Sequence, residues 1–162
     1  MKHISLFLVS LCLVLSGTTG FAAANRAPDF QLPAIEGEAN LARLAGKVIY
    51  LDFWASWCDP CRHSFPWMAA MKDKYGDDGL EVVAVNLDKD RAQADKFLQN
   101  MKVNFVVAFD ESGDSAEKYD LQGMPVSYLI DRDGNIQASH LGFNDTDKDK
   151  LEAAIKVLLQ PQ

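Results

Sequence analysis

The sequence is poor in the residue types that several classes of protein need. It contains only three cysteines in 162 residues, which is too few for a small domain held together by a framework of disulfides. Basic residues are also outnumbered, because 16 Lys and Arg stand against 23 Asp and Glu, giving a formal charge of −7. We therefore expect no nucleic acid and no anionic membrane surface as the main partner.

The remaining composition is that of an ordinary soluble globular protein. Apolar residues make up 48% of the chain and charged residues 24%, which excludes a disordered tail, a collagen-like fibre and a polytopic membrane protein. The sequence has no internal repeat, low-complexity tract or linker after its first segment. We therefore expect one compact domain with one hydrophobic core.

The one long apolar run lies at the very start of the chain. A short basic start precedes Ile4–Leu15, and Ala22–Ala24 has the small-residue spacing that a signal peptidase requires. We predict a signal peptide over residues 1–24, cleaved to leave a single domain over residues 25–162. The alternative is an uncleaved membrane anchor, because residues 4–24 carry no charge over nearly the length of a bilayer span. The predicted location is periplasmic or otherwise extracytoplasmic, soluble after cleavage and membrane-anchored without it.

Strand and helix patterns alternate along the rest of the chain. Residues 25–40 predict an extended lead-in with one short strand, and Asp133-Gly134 predicts a late hairpin. The order predicts an α/β fold, a mixed β-sheet covered by helices on both faces. The predicted strands are Lys47–Phe53, Leu80–Leu87, Phe105–Phe109, Ser127–Ile130 and Asn135–Leu141; the predicted helices are Asp90–Met101, capped by Asp90, Ser115–Tyr119, and a last one begun by a Thr146/Asp149 capping box.

Two of the three cysteines stand in Trp57-Cys58-Asp59-Pro60-Cys61, directly after a predicted strand and at the opening of a helix. Cysteines three residues apart can form a disulfide within one helical turn. Unpaired backbone N–H groups and the positive end of the helix dipole lower the pKa of Cys58 by stabilising its thiolate. We predict a redox-active Cys58–Cys61 disulfide, with Cys58 as nucleophile and Cys61 as resolving thiol, in a loop that Pro60 stiffens.

Two other roles for the cysteine pair are less well supported. A tetrahedral zinc site needs two further ligands, and only His63 and His140 are left to supply them. A purely structural disulfide that closes so short a loop would constrain the unfolded chain little. We predict no metal and no organic cofactor, since the electrons reside in the dithiol.

The stretch Tyr50–Met68, YLDFWASWCDPCRHSFPWM, resembles the active-site segment of the thioredoxin superfamily, most closely that of the extracytoplasmic TlpA-like thiol-disulfide reductases. Ala27-Pro28-Asp29-Phe30 resembles the opening segment of that family's domain, and Gly123-Met124-Pro125 resembles its cis-proline loop. The resemblance covers most of residues 25–162. It implies a thioredoxin-like fold, disulfide-containing protein substrates and a membrane electron donor that recharges the dithiol.

The resemblance also gives roles to residues around the dithiol. Asp52 corresponds to the acid/base group that serves the buried thiol, and burial raises the pKa of a carboxyl group. The Met124–Pro125 bond is expected to be cis, with the Met124 backbone offered to an extended substrate segment. Trp57 is expected to be partly exposed beside Cys58 as a docking surface, and Trp54 to be packed behind the site.

The charge between the cysteines bears on the direction of electron flow. Asp59 places a negative charge beside the Cys58 thiolate, which favours a reducing couple over a strong oxidant. We therefore predict a protein-disulfide reductase, and we expect the protein to be a monomer. Ser64 stands where the cytochrome c maturation subgroup commonly has an acidic residue, which argues against apocytochrome as the substrate. The alternatives are a peroxiredoxin-type thiol peroxidase, suggested by Ala27–Phe30, and a non-catalytic binding module or chaperone on the same fold.

Overall fold

The computed structural model describes residues 25–161, so the predicted signal peptide lies outside the described residues. The strands and helices are β1 (Gln31–Pro33), β2 (Glu38–Asn40), β3 (Val48–Trp54), α1 (Asp59–Tyr75), β4 (Leu80–Asn86), α2 (Arg91–Leu98), β5 (Val106–Phe109), α3 (Asp114–Lys118), β6 (Val126–Ile130), β7 (Ile136–Leu141) and α4 (Lys148–Leu159). None of the helices within residues 25–161 combines the length and the apolar character needed to cross a membrane.

Five strands form the central sheet in the order β5-β4-β3-β6-β7. Strands β3, β4 and β5 run parallel, while β6 is antiparallel to β3 and β7 is antiparallel to β6. All seven residues of β3 are buried, as expected for the middle strand of a sheet covered on both faces. The chain leaves β3 at Trp54, so the cysteine motif lies at the carboxyl end of the central strand.

Both faces of this sheet are covered, as the element order predicted. On one face, α1, α2 and α4 pack through residues such as Phe65, Phe97 and Ile155 against the even-numbered side chains of β3. On the other face, the lead-in segment and the turn after α3 pack through Phe30 and Tyr119 against the odd-numbered ones. The predicted α/β fold, a mixed sheet between two layers, is confirmed.

The structure corrects three local predictions. The lead-in holds two short strands, β1 and β2, paired antiparallel, where one was expected. Helix α2 ends at Leu98 and not at Met101, because the Asn100 and Met101 amides donate only three residues back, to the carbonyl oxygens of Phe97 and Leu98. The Thr146/Asp149 capping box is wrong, since the Thr146 hydroxyl donates to Asn144 and the cap residue of α4 is Asp147.

Candidate active site

The cysteine pair lies where β3 turns into α1. Cys58 is the cap residue of this 17-residue helix, with an extended backbone, and Cys61 lies in its first turn. The two Cα atoms are 5.3 Å apart and the sulfurs are joined in a disulfide. Cys58 is 5% exposed and Cys61 is fully buried. The geometry therefore supplies an outer and an inner sulfur, although the outer one reaches the surface only through a small opening.

The residues between the cysteines form the first turn of α1. Asp59 and Pro60 occupy its first two positions, and both side chains are exposed. Proline fits here because the backbone N–H that it lacks would have no partner within the helix. Later in α1, the helix continues through Pro66 without a break.

The loop before Cys58 is held by a buried carboxylate that the sequence reasoning missed. Asp88, 2% exposed, accepts hydrogen bonds from the Ser56 amide at 2.9 Å and from the Ser56 hydroxyl at 3.0 Å. It also accepts one from the Asn86 side chain at 2.8 Å. These bonds fix the backbone that leads into Trp57 and Cys58. The only signal in the sequence is that Asp88 follows the carboxyl end of a strand beside the central one.

Asp52 is buried in the middle of the central sheet, as predicted. It is 1% exposed, and its Oδ2 atom has no hydrogen-bond partner among the described residues. Burial raises the pKa of this carboxyl well above its ordinary value near 3.8. Tyr50 and Trp54, two residues to either side on β3, belong to the core cluster that contains both cysteines, so Asp52 faces the α1 side of the sheet.

The burial of two serine side chains in this region was not foreseen. Ser127 stands directly opposite Asp52 in the β3–β6 register and is buried. Tyr50, two residues before Asp52 on β3, is also buried, and its pKa is raised by burial and by the nearby Asp52 carboxylate. Ser64, the position that departs from the cytochrome c maturation pattern, is also buried and donates from its Oγ to the Cys61 carbonyl oxygen at 3.0 Å.

The expected cis-proline loop and tryptophan arrangement are present. The Met124–Pro125 bond is cis, and Met124 packs partly buried against the cluster that includes Cys58 and Cys61. Trp57 is 67% exposed, whereas Trp54 is fully buried against Phe65 and Phe97. The structure thus places the dithiol and an exposed aromatic side chain just beyond the carboxyl end of β3, with the buried Asp52 carboxyl two residues before that end.

A sheet of this strand order, with a Cys-x-x-Cys disulfide at the start of the helix that follows the central strand, is the architecture of a thioredoxin-fold thiol-disulfide oxidoreductase. The chain belongs to the Redoxin family, whose family model matches residues 22–155. This membership and the relatives below confirm the resemblance to the TlpA-like branch of the thioredoxin superfamily.

The relatives carry names that fit this chemistry. The chain is 31% identical to the thiol-disulfide oxidoreductase ResA of Bacillus cereus over 169 aligned residues, 96% of each chain. It is 32% identical to ResA of Bacillus subtilis over 124 residues, 76% of this chain and 69% of the relative. A solved structure from Chlorobium tepidum, described as a thiol:disulfide interchange protein DsbE, superposes with a TM-score of 0.83 at 49% identity, covering 85% of this chain and 97% of that one. The protein is a thiol-disulfide oxidoreductase.

Proposed function

We propose that this oxidoreductase works outside the cytoplasm and reduces disulfides of other proteins, with Cys58 as the attacking thiol and Cys61 as the resolving thiol. The observation that carries the proposal is the unequal burial of the bonded pair, 5% exposed for Cys58 and none for Cys61. A sulfur at the surface can meet a disulfide on another protein, while a buried sulfur next to it can react only within the enzyme.

The proposed reaction has two steps. The Cys58 thiolate attacks one sulfur of the substrate disulfide, forming a mixed disulfide and releasing a substrate thiolate that takes a proton from water. Cys61 then loses its proton and attacks the Cys58 sulfur, which breaks the mixed disulfide and releases the second substrate thiol. Two electrons pass from the enzyme dithiol to the substrate disulfide, so the enzyme ends as the Cys58–Cys61 disulfide.

Asp52 is proposed to accept the proton of Cys61, directly or through a water molecule. A buried carboxyl whose pKa is raised by desolvation can exchange a proton near neutral pH, which an exposed carboxylate does poorly. Its free Oδ2 atom is available for this exchange because no described residue donates to it. The carboxyl and the two thiols are expected to titrate as a coupled set.

Substrate binding is proposed at Trp57, Met124 and Pro125. Trp57 offers an exposed aromatic surface next to Cys58, and aromatic side chains are common anchors at protein interfaces. The backbone of Met124 offers N–H and C=O groups with which an extended segment of the substrate can pair, as strands pair at a sheet edge.

The cellular setting belongs to the same proposal. The pattern of residues 1–24 supports export by a signal peptide, and disulfides persist in the compartments reached by this route. The TlpA-like resemblance supports recharging of the dithiol by a membrane electron donor.

The direction of electron flow is tested by the midpoint potential of the Cys58–Cys61 couple in thiol–disulfide buffers. The exposed Asp59 carboxylate in the first turn of α1 destabilises a negative charge on Cys58, so the Cys58 thiolate, and with it the reduced form, is stabilised less than in a strong oxidant. We expect a value near the thioredoxin end of the scale, about −270 mV. The Asp59→Asn variant, which lacks this charge, should have a less negative midpoint potential. A wild-type value above about −180 mV would contradict the assignment as a reductase.

A further inference from the structure

A surface pocket of about 330 Å³ lies between the active-site loop and helix α2. It begins at Ser56, two residues before Cys58, meets α1 at Arg62 and continues along α2. The residues that line it are mostly polar or basic: Ser56, Arg62, Gln93, Lys96, Phe97 and Asn100. The mechanism uses none of these side chains, and the sequence alone would place Arg62 on a solvated helix face.

The two cations of this pocket are well placed to bind an anion. The Arg62 guanidinium carbon lies 4.7 Å from the centre of the buried Phe97 ring. Contact with an aromatic face restrains the guanidinium and leaves the N–H groups at its edge free to donate to a carboxylate in a forked arrangement. Lys96, one residue before Phe97 on α2, adds a second exposed charge to the same pocket.

The carboxylates nearest in sequence do not neutralise these cations. Among residues 25–161, no carboxylate oxygen lies within 4 Å of the charged nitrogens of Arg62 or Lys96, whereas the neighbouring Asp95 is paired with Arg91 at 2.8 Å. Asp88 is occupied by Ser56 and Asn86. Asp59, one turn before Arg62, is the exposed acid that remains nearby. A pair of unneutralised cations is therefore found next to the dithiol on a chain with a formal charge of −7.

We propose that this pocket, which we call the Arg62/Lys96 pocket, binds an acidic side chain of the protein substrate, so that the enzyme prefers disulfides flanked by Asp or Glu. The inference rests on the proposed function. Arg62 lies one helical turn, about 6 Å along the axis, from Cys58. An extended segment covers about 7–10 Å in two or three residues. An acidic residue two or three positions from the substrate cysteine therefore reaches the pocket while the sulfurs meet.

The test uses three disulfide peptides that differ only in having Glu, Gln or Lys two and three positions from the cysteine. The wild-type protein should reduce them in the order Glu, Gln, Lys, with kcat/KM differing about 2–5-fold for each ion pair formed or lost. The preference should weaken as NaCl is raised, because salt screens exposed charges. The ratio of kcat/KM between the Glu and Lys peptides is the readout, since it cancels any general effect on the dithiol.

The double variant Arg62→Glu/Lys96→Glu should reverse this ratio. Lys47→Glu makes the same type of charge change on an exposed residue before β3, at the far end of the strand from the cysteines, and should leave the ratio unchanged. Equal rates on all three peptides, or an unchanged Glu preference in the double variant, would overturn the role of the Arg62/Lys96 pocket. Failure of the wild-type protein to reduce any of the peptides would instead overturn the proposed reductase function.

Discussion

Replacing Cys61 with alanine is expected to abolish turnover while leaving the first half of the reaction intact. Cys58 still attacks the substrate, but no thiol remains beside it to break the mixed disulfide, which therefore accumulates. Because Cys61 is fully buried in the core, no second molecule can take its place at that position. The measurement is non-reducing electrophoresis and mass spectrometry of the Cys61→Ala protein mixed with a disulfide-containing protein.

Cys58→Ala is the matched control for this trap. It removes the outer sulfur and should yield neither turnover nor a stable adduct, since Cys61 is shielded from other proteins. Multiple turnover by Cys61→Ala would contradict its role as resolving thiol. Stable adducts on Cys58→Ala, carried by Cys61, would contradict the assignment of Cys58 as the outer nucleophile. The adducts trapped by Cys61→Ala would also identify the substrates.

Replacing Asp52 with asparagine is expected to slow the resolving step by about 10²–10⁴-fold, the usual contribution of a general base. In the wild-type protein the rate should rise with pH as Asp52 ionises through its raised pKa. In the variant, the rate should depend only on ionisation of the Cys61 thiol itself. Rapid mixing with a substrate, followed by quenching and quantification of the mixed disulfide from about pH 6 to about pH 8, measures this step. An unchanged rate across that range would remove Asp52 from the mechanism.

The folding stability of the Asp52→Asn protein shows whether a slower reaction reflects loss of the general base or damage to the fold. Burial raises the folded-state pKa of Asp52 above its ordinary value near 3.8, so the folded protein binds that proton more tightly than the unfolded chain does. The resulting stabilisation is complete below the unfolded-state pKa and is lost as pH rises through the folded-state pKa. Asparagine has no carboxyl group to ionise, so the variant does not lose stability in this way as the pH rises. Asp52→Asn should therefore gain stability relative to wild type between about pH 4 and neutral pH, measured by denaturant unfolding.

Features that depend on residues close in sequence could be predicted before the structure was known. The span of β3 follows from a run of apolar residues interrupted only by Asp52, and the Cys58–Cys61 bond joins residues within one helical turn. The Asp90 carboxylate caps α2 by accepting from the Ala92 amide, two residues ahead, as its position indicated. Each of these features is set by local backbone geometry, which the residue pattern encodes directly.

Features that join distant segments could not be predicted in the same way. Asp88 supports Ser56 across 32 residues of sequence, and Ser127 faces Asp52 only because of the β3–β6 register. Arg62 meets Phe97 only because α1 and α2 pack on the same face of the sheet. Neither hydrophobic periodicity nor motif spacing predicts such contacts, since they form only when the whole sheet and its helices assemble. Even the local capping box at Thr146 was wrong, because the cap residue of α4 is Asp147 and the Thr146 hydroxyl donates to Asn144.

Alkylation of the reduced, natively folded protein tests most directly whether Cys58 is the accessible thiol and Cys61 the shielded one. Iodoacetamide should modify Cys58 rapidly and leave Cys61 unmodified until the protein is unfolded, with peptide mapping to identify the modified residue. This selectivity follows from the exposure of Cys58 and the complete burial of Cys61. Modification of Cys61 before Cys58, or no reaction at either residue in the folded state, would contradict it.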